Sequence, residues 1–230
     1  MRMPASRPVD ELSSVTQDYL KVIWMTQEWS DVKITTKLLA EKMGVSPSTA
    51  SEGIRKLADQ GLVDHAPYGA VTLTDEGQEL AISMVRRHRL LETFLVRELG
   101  YGWDQVHEDA EVLEHAVSER LLRHIDAKLG HPKRDPHGDP IPGADGVVPD
   151  TAALQLADLD VDESGVIRRI SDSDPEMLRY FEEIGIALDC RVRMTQKRPF
   201  AGTVTVCVND GDPIHLGDIA ARAIFLDRDR

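Results

Sequence analysis

The chain has 230 residues, of which 41% are hydrophobic and 29% charged, and its formal net charge is −13. This length can supply two domains of ordinary size, each with its own core. No apolar run reaches the length of a membrane span, and the first six residues lack the apolar region of a signal peptide, so we expect a cytoplasmic protein without membrane contact. The only cysteines, Cys190 and Cys207, argue for a reducing compartment and against a disulfide framework.

The negative charge is unevenly distributed along the chain. Residues 1–73 carry a net charge of −1, residues 74–130 of −5 and residues 131–230 of −7. DNA contact by a few Lys and Arg residues is therefore possible in the first third, although general electrostatic affinity for DNA should be modest. The acidic remainder suits a cation better than a phosphate.

The first predicted helix runs from Val15 to about Glu28, and Ser13 or Ser14 can cap it. Its apolar stripe comprises Val15, Tyr19, Val22 and Ile23. Asp18 lies on the edge of this stripe, so its carboxylate is either solvated or has a partner.

From Thr35 onward the pattern is that of a helix-turn-helix. Thr35 or Thr36 caps a short helix, Gly44 ends it, and Ser46 caps a second helix with Pro47 at its first position. The buried stripe of the second helix comprises Ala50, Ile54 and Leu57. The outer face is either merely solvated or, because small residues at such a helix start suit approach to a major groove, in contact with DNA. The expected DNA-contacting residues are Thr36, Ser46, Pro47, Ser48, Thr49, Ser51, Glu52, Arg55 and Lys56.

Two short strands within residues 61–73, joined by a turn at Pro67-Tyr68-Gly69, predict the wing of a winged helix-turn-helix. A long helix then runs from Thr74 or Asp75 to near Gly100. A further helical region extends from Asp104 to about Leu129, and its buried residues are expected to be Ala110, Leu113, Ala116 and Val117. These helices expose more apolar surface than the small winged domain can cover, which favours a symmetric homodimer.

Titratable side chains cluster on these two helical stretches. In a helix Glu111, Glu114 and His115 share one face, and upstream His88 and Glu92 stand four residues apart. Either these are solvated acidic faces with incidental histidines, or a divalent cation relieves the repulsion between the carboxylates. The second histidine–carboxylate pair favours the metal site.

The remainder of the chain changes character. Residues 131–150 are rich in proline and glycine, which predicts a linker or a docked loop. Later segments predict a small SH3-like barrel, with strands near 165–170, 191–195, 203–208 and 223–226 and helices near 174–184 and 216–223.

The expected fold is thus mainly α with small β parts. Its expected parts are a winged helix-turn-helix DNA-binding domain at 1–74, a helical metal-binding and dimerisation domain at 75–130, a linker at 131–150 and an SH3-like, FeoA-like domain at 151–230.

In this order the motifs resemble the diphtheria toxin repressor family of metal-activated transcription regulators over nearly the whole chain. The matching segments are Asp18-Tyr19-Leu20, the Ser-x-x-Thr-x-Ser recognition helix, Gly61-Leu62-Val63, Arg87-His88-Arg89-Leu90, the run from Val106 to His115, and Asp139-Pro140-Ile141-Pro142-Gly143. The resemblance implies a non-enzymatic repressor of metal-uptake genes. Such a repressor binds a pseudo-palindromic double-stranded DNA operator as a homodimer and needs a metal ion but no organic cofactor.

The resemblance also implies a primary metal site, made of Asp18, Glu111, Glu114 and His115, with His88 added in the manganese branch. The iron-responsive branch has Met and Cys where this chain has Asp18 and Glu111. Two carboxylates in place of two sulfur ligands favour Mn²⁺, with Fe²⁺ and Co²⁺ as alternatives. Bacillary manganese regulators, which bind two adjacent ions, have Glu at the position of Lys21, where an ammonium would compete with the second ion.

A second, ancillary site is implied by the same resemblance. Its ligands correspond to His88, Glu92 and His107, completed from the linker and the third domain. The nearest candidates for that completion are Asp135, His137, Asp172 and Asp174.

Three alternatives remain open at this point. The first is an iron-dependent regulator of the same family. The second is a metal-dependent hydrolase, although Glu-x-x-Glu-His lacks the His-Glu-x-x-His spacing that leaves an open zinc position. The third is a helix-turn-helix regulator that responds to an organic ligand, whose DNA affinity would be indifferent to a chelator.

Overall fold

The computed structural model describes residues 7–30, 32–65, 69–149 and 154–228. The chain forms two compact units. The first comprises Met1–Leu91, Glu111–Ile125 and Ile141–Val148, and the second comprises Glu92–Ala110, Asp126–Pro140 and Pro149–Arg230. Within the described ranges, no helix combines the length and the apolar character needed to cross a lipid bilayer.

The first unit begins with three helices and a hairpin: α1 (Ser14–Glu28), α2 (Thr36–Lys42), α3 (Pro47–Asp59), β1 (Val63–His65) and β2 (Val71–Leu73). Ser13, Thr35 and Ser46 cap the three helices, because each side-chain oxygen accepts a hydrogen bond from the backbone N–H three residues on. The strands β1 and β2 pair antiparallel, which confirms the predicted hairpin. The predicted turn lies partly outside the described residues, at positions 66–68.

The core of this part lies between α1, α3 and the hairpin. Ala50, Ile54 and Leu57 on α3 are buried as predicted. On α1 the buried apolar residues are Tyr19, Leu20 and Ile23, whereas Val15 in the first turn is 60% exposed. The predicted stripe is therefore wrong at its start, because the helix packs through its middle turns.

Three further helices follow: α4 (Asp75–Leu99), α5 (Val106–Leu113) and α6 (Glu119–Lys128). The predicted start of α5 at Asp104 is two residues early, and the predicted continuous helix is interrupted, because the segment from Glu114 to Ala116 forms a turn. This turn moves Ala116 off the face of α5, whereas Leu113 is the last residue of α5 and lies on its exposed side. Ala110 and Val117 are buried as predicted, but Leu113 and Ala116 are exposed.

The proline- and glycine-rich segment is a docked loop. Its described residues, 131–149, contain one isolated bridge between Arg134 and Pro140 and no regular strand or helix. Within the second unit, Asp135 and His137 are buried, and buried Asp139 accepts a 2.6 Å hydrogen bond from Arg169 Nε. Such burial distinguishes this loop from a solvated linker.

The second unit contains an antiparallel six-stranded sheet with the order β3-β8-β4-β5-β6-β7. Its strands are β3 (Leu154–Gln155), β4 (Ser164–Ile170), β5 (Arg191–Arg198), β6 (Thr203–Val208), β7 (Pro213–Gly217) and β8 (Ile224–Arg228). The accompanying helices are α7 (Pro175–Glu183) and α8 (Asp218–Arg222). The buried core includes Ile167, Phe181, Met194, Val206 and Leu226.

Four of these strands were predicted, and β3 and β7 were not. Because Leu216 and Gly217 complete β7, the predicted helix at 216–223 is reduced to the five residues of α8.

Candidate metal centre

Carboxylates and imidazoles from three helical regions converge in the first unit. The contributing residues are Asp18 on α1, His88 on α4, Glu111 in the last turn of α5, and Glu114 and His115 in the turn that follows. Ligand atoms of Asp18, Glu114 and His115 lie within 4.8 Å of one another, and so do those of His88, Glu111 and Glu114. The two groups share Glu114, and we call these five residues the primary cluster.

Glu114 is the centre of the primary cluster. Its side chain is fully buried, its Oε1 accepts a 2.5 Å hydrogen bond from Lys21 Nζ, and its Oε2 lies 2.7 Å from His88 Nδ1. A buried carboxylate is costly unless it is paired and hydrogen-bonded. Glu114 is therefore held by a charged donor, Lys21, on one oxygen and by the imidazole of His88 on the other.

The amide of Gln17 fixes the proton on His115. Gln17 Nε2 donates hydrogen bonds to the carbonyls of Val9 and Leu12, at 2.9 and 3.2 Å, which leaves Gln17 Oε1 facing His115 Nδ1 at 2.6 Å. Since Oε1 can only accept, His115 Nδ1 must carry the hydrogen. In the neutral ring, Nε2 then presents its lone pair, as a metal ligand requires.

That lone pair points at another acceptor. Asp18 Oδ1 lies 3.0 Å from His115 Nε2, is buried, and accepts no hydrogen bond from the described part of the chain. Burial raises the pKa of the Asp18 carboxyl above its ordinary value, against the opposing effects of His115 and Lys21 and together with those of Glu111 and Glu114. A divalent cation between the two acceptors would remove both the repulsion and the deficit of positive charge, so the donor set fits a metal ion.

Lys21 is buried inside the primary cluster. Its side chain is 2% exposed, and Nζ lies 2.5 Å from Oε1 of both Glu111 and Glu114. Burial alone would lower the pKa of this ammonium, but the two carboxylates and their hydrogen bonds outweigh burial and raise that pKa. Lys21 therefore stays charged.

A second group of ligand-type side chains lies in the second unit. His107 Nδ1 is 3.5 Å from Glu92 Oε1 and 3.7 Å from Asp172 Oδ2, while His137 Nδ1 is 3.8 Å from Glu92 Oε2. Ligand atoms of Glu92, His137 and Asp172 lie within 4.8 Å of one another. We call these four residues the second cluster.

His137 is oriented in the same manner as His115. Its Nε2 donates to the carbonyl of Trp103 at 2.7 Å, so in the neutral ring the buried Nδ1 presents a lone pair, and Nδ1 has no hydrogen-bond partner among the described residues. Burial tends to lower the pKa of His137, but Asp135, Glu92 and Asp172 outweigh it and raise that pKa. The charge around the imidazole is thus strongly negative, which also fits a cation.

Two of the weaker ligand candidates have structural contacts instead. Asp135 Oδ1 accepts hydrogen bonds from the backbone N–H groups of His137 and Asp139, both at 2.9 Å, which holds the docked loop. Asp174 caps α7 by accepting from the backbone of Glu176 and Met177. Neither carboxylate belongs to a group of three close ligand atoms among the described residues.

His88, predicted for both sites, lies one helical turn before Glu92 on α4.

The outer face of α3 is available for contact. The predicted DNA-contacting residues on and before this helix are exposed, and Thr36 on α2 is half-buried. Lys56 pairs with Glu52 at 2.9 Å one turn away, and Ser46 Oγ accepts from the N–H of Thr49. Lys37 on α2 is also exposed and was not predicted.

Three protein-family models together match nearly the whole chain. Residues 11–71 match "Iron dependent repressor, N-terminal DNA binding domain", residues 74–143 match "Iron dependent repressor, metal binding and dimerisation domain", and residues 154–228 match "FeoA domain". The predicted mainly α fold, with its winged helix-turn-helix, its dimerisation helices and its SH3-like third part, is confirmed.

Individual relatives agree with the family matches. The chain is 28% identical to the iron-dependent repressor IdeR of Mycobacterium tuberculosis over 96% of its own length and 100% of that protein. It is 30% identical to the diphtheria toxin repressor of Corynebacterium diphtheriae over 64% of its own length and 68% of that protein.

Solved structures give a closer match. A structure described as "Manganese-dependent transcriptional repressor complex with manganese" is 63% identical with a TM-score of 0.90, and the alignment covers 93% of this chain and 99% of that one. The manganese regulator SloR is 33% identical with a TM-score of 0.79, over 95% of this chain and 100% of that one. The chain therefore belongs to the diphtheria toxin repressor family of metal-dependent, DNA-binding transcriptional repressors.

Proposed function

We propose that this protein is a manganese-activated repressor that binds a pseudo-palindromic DNA operator as a homodimer and controls metal-uptake genes. The observation that carries the proposal is the approach of Asp18 Oδ1 on α1 to His115 Nε2 in the turn after α5, at 3.0 Å. Two acceptors from separate elements meet there, and a cation would satisfy both.

The donor atoms favour a hard ion. Asp18, Glu111, Glu114, His88 and His115 would hold the primary ion through oxygen and nitrogen, and none of them offers sulfur. Carboxylate and imidazole ligands suit Mn²⁺, and Fe²⁺ or Co²⁺ are the alternatives. The relative with the highest identity of the solved structures named above is described as a complex with manganese, which supports the first choice.

The second cluster would hold an ancillary ion through Glu92, His107, His137 and Asp172. Asp135 and Asp174 are weaker candidates because their carboxylates already accept backbone hydrogen bonds. We therefore expect the ancillary site to depend on His137 more than on Asp135.

The primary cluster connects metal binding to the position of the recognition helix. Asp18 can share an ion with Glu114 and His115 only when α1 stays close to the turn after α5, and α1 packs directly on α3 through Tyr19 and Gly53. A bound ion supplies positive charge that joins these carboxylates and the imidazole. Metal binding and DNA binding must then strengthen each other to the same extent.

On the DNA side, α3 would enter the major groove. Ser46, Pro47, Ser48, Thr49 and Ser51 form its small N-terminal surface, and Glu52, Arg55 and Lys56 continue the exposed face, with Thr36 alongside on α2. Small residues allow close approach, and Arg55 and Lys56 can contact phosphates or base edges.

The test is DNA binding with a panel of metals. A duplex selected by the protein from a random pool in Mn²⁺ is titrated by fluorescence anisotropy in Mn²⁺, anaerobic Fe²⁺, Co²⁺, Zn²⁺ or chelator. We expect tight binding in Mn²⁺ and a loss of about tenfold or more in chelator, as a coupling of 1–3 kcal/mol implies. Equal affinity in chelator would contradict the proposal and favour a regulator that senses an organic ligand. Turnover of ester or phosphoester substrates by the metal-loaded protein would favour the hydrolase.

A further inference from the structure

The end of strand β4 is where the docked loop and the second cluster meet. Ile170 donates its backbone N–H to the carbonyl of His137 at 2.9 Å, and Asp172 follows two residues later. Gly138, whose φ is +95°, lies so close to this strand that a Cβ on it would collide with the carbonyl oxygen of Arg168. Two ligand candidates of the second cluster, His137 and Asp172, are therefore placed by the same few residues of one strand.

A β-bulge decides where the side chain of Arg169 points. The pairing of β4 with β8 shifts between Ile167 and Arg169, so Ile170 takes the inward position that strict alternation would give to Arg169. Arg169 pairs instead with Phe225 on β8, and its guanidinium carbon lies over the ring of Phe225, 4.7 Å from the centroid. The bulge therefore turns a buried arginine away from the apolar core and onto an aromatic ring.

Arg169 holds the docked loop through Asp139. Its Nε donates to Asp139 Oδ1 at 2.6 Å, and the two residues are 8% and 3% exposed. A charge-assisted hydrogen bond between such buried partners is strong, and stacking on Phe225 limits the rotation of the planar guanidinium. Removing either partner would leave the other as an uncompensated buried charge, so the pair fixes the loop at this point.

His137 lies within the part of the loop that this pair fixes. Asp135 Oδ1 accepts hydrogen bonds from the backbone N–H groups of both His137 and Asp139, which braces the turn between them. Because Arg169 holds the Asp139 end of this turn, it also holds the backbone that carries the imidazole. In this arrangement the buried Nδ1 of His137 lies 3.8 Å from Glu92 Oε2.

We propose that Arg169 is a positioning residue of the second cluster, which holds Asp139 so that His137 Nδ1 can join the neighbouring carboxylates on a divalent ion. This inference rests on the proposed function, specifically on its ancillary ion. Arg169 offers no ligand atom of its own, because a guanidinium stays protonated, so its effect is confined to the geometry of the imidazole. Its loss should therefore weaken ion binding at the second cluster and leave binding at the primary cluster as it is.

The test measures the two clusters separately by isothermal titration calorimetry with Mn²⁺. A His115→Ala background disables the primary cluster and reports the second, and a His137→Ala background does the reverse. We expect Arg169→Met to weaken Mn²⁺ binding at the second cluster by about 10–100-fold, the usual effect of losing a group that orients a ligand, and to leave the affinity of the primary cluster unchanged. Arg193→Met, at an exposed arginine on β5 of the same sheet, is the matched control and should change neither affinity.

A spectroscopic measurement distinguishes positioning of His137 from a general loss of stability. Electron spin-echo envelope modulation counts the imidazole nitrogens bound to Mn²⁺. In the His115→Ala background we expect Arg169→Met to show one imidazole fewer than the protein with Arg169, the same loss that His137→Ala should cause. Asp139→Asn removes the charge that Arg169 holds and keeps the side-chain size, so it should show this loss as well and gives the same test if Arg169→Met does not fold.

Three results would overturn the inference. The first is an unchanged affinity and an unchanged number of bound imidazoles in folded Arg169→Met. The second is an equal weakening of both clusters, because Arg169 would then only stabilise the fold. The third is failure of the second cluster to bind Mn²⁺ even with Arg169 in place, which would refute the ancillary ion of the proposed function. The titration of DNA binding with Mn²⁺ tests the rest of that function independently of Arg169.

Discussion

At the scale of single residues, the primary cluster is organised by two side chains that are not themselves expected ligands. Gln17 determines which nitrogen of His115 carries hydrogen, and Lys21 balances the charge of Glu111 and Glu114. Both are buried polar residues on α1: Gln17 directly precedes Asp18, and Lys21 follows it by about one helical turn. The helix that supplies one ligand therefore also controls the others.

Gln17 is expected to act as a positioning residue for His115. Gln17→Leu removes the acceptor for His115 Nδ1, so the ring can adopt the wrong tautomer. We expect Mn²⁺ affinity to fall by about 10–100-fold, the usual effect of losing such a partner, measured by isothermal titration calorimetry. Gln27→Leu, at an exposed position of the same helix, is the matched control. Equal affinity in Gln17→Leu and Gln27→Leu would show that the hydrogen bond does not orient the imidazole.

The expected ligands could be predicted from the sequence, and the family resemblance already indicates an ammonium beside them at Lys21, but the contacts that Lys21 and Gln17 make could not be predicted. The ligands were found through short spacings and the order of family motifs, as with Glu114-His115. The contacts of Lys21 with Glu111 and Glu114, and of Gln17 with His115, join residues 90 to 98 positions apart. No local pattern encodes such a distance, so only the folded chain reveals that Lys21 and Gln17 turn inward.

At the scale of secondary-structure elements, the capping residues in the sequence correctly predict where four of the helices begin. Ser13, Thr35, Ser46 and Asp174 are all caps, because an N-cap depends on neighbours within three residues. The sequence does not predict the end of α5 at Leu113, because no proline or glycine marks it. The sequence does not predict β7 either, because this strand forms through its pairing with β6 and its own five residues carry no clear strand pattern.

The contact between α1 and α3 depends on Gly53. A Cβ at this position would lie 2.7 Å from Cζ of buried Tyr19, which is closer than packed atoms allow. We expect Gly53→Ala to destabilise the fold by about 1–3 kcal/mol, the usual cost of overpacking a core. Chemical denaturation measures this, with exposed Ser51→Ala on the same helix as the control. Stability equal to that of the control would mean that Tyr19 can move aside freely.

At the scale of the whole molecule, the family match includes a dimerisation domain over residues 74–143. Within the first unit, Val112 is 71%, Leu113 40% and Leu121 53% exposed. We expect these side chains to contribute to that interface, because larger exposed apolar surfaces often mark one. The prediction that Leu113 is buried is wrong for the single chain. Its exposure there is consistent with burial between two copies.

A charge on this surface should separate the subunits. We expect Val112→Asp to shift the protein toward a monomer in size-exclusion chromatography with light scattering, and to weaken DNA binding because both half-sites are then no longer held together. Val32→Asp, at another exposed valine outside this surface, is the control. A Val112→Asp protein that stays dimeric at micromolar concentration would place the interface elsewhere.

The dependence of DNA affinity on free Mn²⁺, compared between the wild type and Asp18→Asn, is the most direct test of the link between the primary cluster and the recognition helix. We predict that Mn²⁺ raises the DNA affinity of the wild type by about tenfold or more, and that Asp18→Asn loses most of this gain while its affinity in chelator is unchanged. The same Mn²⁺ response in Asp18→Asn would contradict the account, because an ion that activates DNA binding would then not need α1.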